Sequence, residues 1–202
     1  MRIFFGVVLS ALLGTQPVWS HEYYLMPETF LAQPGETVAV KHRLGQKFKG
    51  NELPFIGNWN IRSEVWEQGK MRPVRGLDGD RPALTIKPQE PGLVSVIHQS
   101  NIDFLTFKTW EKFQAYVGKE GLTHALAASE KGQKPKIDLK EAYARYAKTL
   151  ISVGPTAKGR DNPVGLKIEL VALAHPRTLG ADEPMPVQLL YDGKPLAGAR
   201  IK

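Results

Sequence analysis

Apolar and polar residues alternate along much of this chain with the two-residue period of a strand, not the 3.6-residue period of a helix. Between residues 37 and 44, Val38, Val40, His42 and Leu44 fall on one face. Residues 92–99 and 102–107 predict two more strands, and the second is apolar at nearly every position, which predicts burial. Shorter strands are predicted at 63–68 and 83–86. Turns are expected at Pro34-Gly35, Asp78-Gly79-Asp80 and Pro91-Gly92. Short strands at this spacing predict an antiparallel sandwich or barrel, taken here as an N-terminal β-sandwich over residues 21–107.

The period then changes. Phe113, Tyr116 and Val117 sit at helical spacing, as do Leu122 and Leu126. Asp138 and Glu141 resemble a capping box, and Ala142, Tyr143, Tyr146, Ala147 and Leu150 form one stripe, which predicts a helix to about residue 150. Residues 108–153 are therefore expected to form a helical segment. Beyond Gly154, Leu166, Ile168, Leu170 and Ala172 alternate, and so do Val187, Leu189 and Tyr191. Asp192-Gly193 begins a turn into a third strand at 199–202, and three strands cannot close a sandwich. The expectation for 154–202 is a partial C-terminal β-sandwich, with the chain a fragment of a two-domain protein.

The N-terminus has a different pattern. Arg2 precedes an apolar run from residue 3 to 13, Pro17 breaks it, and Val18 and Ser20 suit the −3 and −1 positions of a signal peptidase site. The run is about half the length needed to span a bilayer. Residues 1–20 are read as a secretory signal peptide, giving a periplasmic protein that starts at His21 and is not an integral membrane protein. Removing 20 of 202 residues leaves 182, enough for one good core. Cysteine is absent, which excludes disulfides, thiolate metal sites and cysteine nucleophiles. The formal charge of +7 drops to +6 with Arg2, and its lysines and arginines are scattered, so nucleic acid is not an expected partner.

Several stretches together carry a resemblance: His21-Glu22-Tyr23-Tyr24-Leu25 after the leader, Gly45-Gln46-Lys47-Phe48-Lys49-Gly50, Glu111-Lys112-Phe113-Gln114-Ala115-Tyr116, Arg145-Tyr146-Ala147-Lys148, and residues 191–198. In this order they resemble the bacterial exported family known as domain of unknown function 4198. The resemblance implies an N-terminal β-domain, a helical segment and an immunoglobulin- or transthyretin-like C-terminal sandwich, truncated here. It also implies an association with periplasmic nickel and cobalt uptake, and hence with a metal-uptake membrane transporter as partner.

Five histidines are the main soft-metal candidates. Cleavage after Ser20 would give His21 a free amine beside its imidazole, a pair that can chelate Ni(II) or Cu(II), and the family places a histidine here. His42 and His98 lie on predicted strands in line with Val38/Val40 and Val94/Val96, as metal ligands or as hydrogen-bonded core residues. His124 and His175 are expected at the surface. Asp78 and Asp80 read as a turn, and Trp59, Trp66 and Trp110 as core anchors. No HExxH, GxSxG or P-loop is present, and no enzyme is expected. Two functions follow: a non-enzymatic nickel, cobalt or copper binder using His21, His42 and His98, or a structural or ligand-recognition sandwich of the cell envelope with no metal role.

Overall fold

A computed structural model describes residues 22–132, 136–199 and 201. Valine and isoleucine at alternate positions build two facing antiparallel sheets. The first contains β1 (Glu22–Pro27), β3 (Val38–Gln46) and β4 (Lys49–Leu53) in that order, with β7 (Leu84–Ile86) also paired to β3. The second runs β2 (Leu31–Ala32), β11 (Tyr146–Val153), β8 (Gly92–Ser100), β5 (Asn60–Glu67) and β6 (Lys70–Pro73), all antiparallel except the β2–β11 pair. Their inward residues merge into one core that includes Val38, Val40, Val65, Val94, Val96 and Ile151, each at most 1 % exposed. Chain composition of 46 % strand against 14 % helix makes the protein mainly β.

The β3–β4 hairpin turns at Lys47 and Phe48, both at positive φ (50° and 57°), the geometry whose twist suits a tight two-residue turn. Gly45 and Gly50 lie opposite each other just before it. An added Cβ on Gly45 would collide with the Lys49 carbonyl, and one on Gly50 with the Leu44 carbonyl, so both positions require glycine.

Strand β8 is buried on both faces. Ser95 and Ile97 point away from the first sheet, where Ile97 packs with Val164 and Leu166 of the following chain. That third layer is tied down by ions. Lys148 Nζ, on a side chain 8 % exposed, lies 2.8 Å from Asp161 Oδ2 and 2.9 Å from Glu169 Oε1, both side chains 1 % exposed. The Glu169 carboxylate also accepts from the amides of Val164, Gly165 and Leu166. A run without regular structure thereby has its amides satisfied, as burial demands.

Beyond β8 the chain leaves the sandwich as a ribbon of β9 (Asp103–Thr109) and β10 (Ile137–Tyr143), joined through α1 (Trp110–Glu120) and α2 (Thr123–Lys131). The Thr109 hydroxyl caps α1 by accepting from Lys112 N, and Gly121 ends it in the left-handed conformation. Phe107, Phe113 and Val117 form a small separate core. A last antiparallel ladder holds β12 (Ile168–Ala172), β13 (Val187–Tyr191) and β14 (Lys194–Pro195). No helix among the described residues is long and apolar enough to cross a membrane.

Four expectations are corrected. The helix predicted from Asp138 to residue 150 is instead β10 and β11, because Ala147, Thr149, Ile151 and Val153 also alternate and β8 pairs with them along their length; the helical part of 108–153 ends at Lys131. Strand β9 is apolar without being buried, since the consecutive Phe104 and Leu105, which point to opposite faces of the ribbon, are both exposed. In β12 the inward residues are Glu169 and Val171, so Ile168 and Leu170 face outward; the charge goes inside because Lys148 and three amides meet it. In β13, likewise, Leu190 is buried while Val187 and Tyr191 are exposed.

Candidate functional site

The two sheets place one histidine each at the same end of the core. His42 follows Val38 and Val40 on the inward face of β3, and His98 follows Val94 and Val96 on the inward face of β8. Both side chains are buried, and their ring centroids lie 4.6 Å apart with the planes inclined by 55°. Tyr23 of β1 completes a triangle, 5.6 Å from the His42 ring and 5.3 Å from that of His98. The three line a cavity of about 340 Å³ whose wall continues through Phe55, Trp59, Asn101, Asp103, Tyr143 and Arg145.

Hydrogen bonding determines which nitrogen His98 presents. Ser63 Oγ donates to Asn60 Oδ1 at 2.8 Å, which commits its one proton. Its 3.2 Å contact with His98 Nδ1 is therefore an Nδ1–H donating to Ser63, and Nε2 of His98 keeps its lone pair. Nε2 of His42 and the hydroxyl of Tyr23 are buried without a hydrogen-bond partner among the described residues. Buried polar atoms of this kind are rare in folded proteins and need a reason.

Burial also sets the charge state. Desolvation lowers the His42 pKa to about 4. Desolvation, then the neighbouring His42 and Arg145, lowers that of His98 to about 3. Both rings are neutral near pH 7, each with a lone pair to offer. Burial pushes the Tyr23 phenol up, so it is a neutral hydroxyl there.

A cation closes one side. The Arg145 amide donates to Ser100 Oγ at 2.8 Å and its carbonyl accepts from Ser100 N at 2.9 Å, which fixes the residue at the β10–β11 junction. Its guanidinium lies 4.6 Å from the Tyr143 ring centroid and 5.9 Å from that of Tyr23. The Tyr143 hydroxyl donates to Asp103 Oδ2 at 2.7 Å and accepts from Arg145 Nη2 at 3.3 Å.

Of the sequence-derived site residues, the structure brings His42 and His98 together, and His21 lies outside the described residues. His124 is exposed on α2. His175 is not a surface residue: it is buried, its Nδ1 accepts from Arg177 N, and its Nε2 contacts Ser152 Oγ at 3.3 Å, a structural role. Asp78 and Asp80 accept from the amides of Gly57 and Leu77, as a turn requires. Trp59 is half exposed beside the cavity instead of anchoring the core. Among the described residues no group of three or more His, Cys, Asp or Glu is arranged to hold a metal. The pattern of apolar positions missed Tyr143 and Arg145, which it assigned to a helix.

A family model matches residues 18–202, and its description is domain of unknown function (DUF4198). The chain belongs to this family. No curated protein and no solved structure matches the chain. For this DUF4198 member, every described residue of the cavity lies within the match. Two of the stretches that carry the resemblance also reach the cavity: Tyr23 comes from the first and Arg145 from the fourth.

Proposed function

We propose that this DUF4198 protein is an exported, non-enzymatic binder of a divalent transition metal, held by His42 and His98 and completed by the N-terminal His21. The observation that carries the reading is the pair of buried, neutral imidazoles with an orphaned nitrogen between the sheets. A metal is a partner that satisfies such a nitrogen without a proton. Two imidazoles ligating one ion in cis, at about 2.1 Å and near 90°, have centroids about 4.5 Å apart. The spacing of 4.6 Å meets that requirement. A cis right angle suits tetragonal Ni(II) or Cu(II), and octahedral Co(II), better than a tetrahedral ion.

Export is supported by the N-terminal pattern and by the start of the family match at residue 18, which leaves the apolar run of residues 3–13 outside it. In sequence, His21 stands two residues before Tyr23, which lines the cavity. A periplasmic metal binder of this kind would deliver to a membrane transporter.

The test is calorimetric titration of mature protein with Ni(II), Co(II) and Cu(II), against the His42→Ala/His98→Ala double variant. The reading expects one site per chain and at least a hundredfold loss in the variant. Equal affinity in both proteins would remove the pair from the site and favour an envelope recognition module.

A further inference from the structure

Resting on that metal reading, we infer that the cavity takes the ion as a complex with a small carboxylate chelator, an α-hydroxy or α-amino acid, whose carboxylate is held by Arg145. Three observations converge on it. The first is size. About 340 Å³ corresponds to roughly ten waters at about 30 Å³ each, far more than one ion on two imidazoles occupies. It falls within the size range of small-molecule sites.

The second is coordination. Two histidines, even with His21 added, leave positions open on a tetragonal or octahedral ion, and none of the other cavity residues is a histidine, with Asp103 the one carboxylate among them. Asp103 is already the acceptor of the Tyr143 hydroxyl. A chelator carried in with the ion would supply the remaining donors.

The third is charge. The Arg145 guanidinium makes no direct ion pair among the described residues, its link to the Asp103 carboxylate passing through the Tyr143 hydroxyl, and it lines the same cavity as the imidazoles. A bare divalent ion beside a guanidinium without a direct counter-ion would be repelled. A chelate with its own carboxylates reverses that sign, and a planar fork of donors is the usual recogniser of such a group. Tyr143 and Tyr23 stack beside the guanidinium and restrain it where the carboxylate would sit.

The experiment is equilibrium dialysis of mature protein with radiolabelled Ni(II), alone and with labelled citrate or L-histidine. Wild type is compared with Arg145→Gln, Arg145→Lys and His42→Ala/His98→Ala. Arg145 is anchored to Ser100 through its backbone, so its side chain can be changed with the strands in place. Retention of metal and chelator in equal amounts is expected, with nickel held at least tenfold tighter with one chelator than without. Arg145→Gln should lose that gain and, with the repelling charge removed, bind nickel alone no more weakly than wild type, with Arg145→Lys between. The chelator that co-binds identifies the acid class. If nickel binds alone and both chelators strip it from the protein, the inference fails while the histidine site stands. If wild type retains nickel in no arm, the metal reading fails with it.

Discussion

Ser63 fixes the tautomer of His98. The serine's proton goes to Asn60, so its oxygen can only accept from the ring, at 3.2 Å, and Nε2 of this cavity-lining histidine keeps its lone pair. Outer partners of this kind usually change metal affinity by about 10–100-fold when removed. Ser63→Ala is therefore predicted to weaken Ni(II) binding by about tenfold or more, with the fold retained, as measured by titration and by circular dichroism on the same sample.

Stability should depend on pH through the buried pair. Both folded-state values, about 4 and about 3, lie below the ordinary histidine value of 6.5. The unfolded chain takes up protons that the folded chain refuses, so this contribution is full above about pH 6.5 and is lost as pH falls toward 4. The slope should be on the order of 1 kcal/mol per pH unit for each ring. Urea denaturation of metal-free protein at pH 7.5 and 5 should show it, and His42→Gln/His98→Gln should flatten it. The burial of His175, also lowered, would leave a smaller residual slope. Equal slopes in both proteins would contradict the account.

Tyr23→Phe separates binding from packing. The hydroxyl is buried with no partner among the described residues, so removing it relieves a desolvation cost on the order of 1 kcal/mol. The variant is predicted to unfold at higher urea than wild type and to bind the metal complex more weakly. A residue that only packs would move the first measurement alone.

Lys148 carries the third layer. Lys148→Met would strand the Asp161 and Glu169 carboxylates, each 1 % exposed, and breaking a buried pair in this way costs about 3–5 kcal/mol. A matching drop in the denaturation midpoint is expected, and a change under about 1 kcal/mol would mean that water reaches the pair.

Both histidine strands were legible because each turns alternate valines toward the shared core. Val38 and Val40 lead to His42 in the same register that Val94 and Val96 lead to His98. Their meeting across two sheets was not, since alternation names a face and not the residue opposite. Residues 138–150 misled for a different reason. Tyr143, Tyr146, Ala147 and Leu150 satisfy a helical stripe, and only pairing with β8 selects the strand. Glu169 was illegible too, because a carboxylate on an alternating strand reads as the solvent face until its cation is known. The cavity's cation shares that fate: Arg145 reaches the site through a junction that lies between two strands.

The central claim is that imidazoles of His42 and His98 bind the metal directly, and X-ray absorption of the Ni(II)-loaded protein tests it most directly. The account predicts imidazole scattering from at least two rings, reduced by one ring in either His42→Ala or His98→Ala. A metal environment without imidazole, or one unchanged in both single variants, would contradict it.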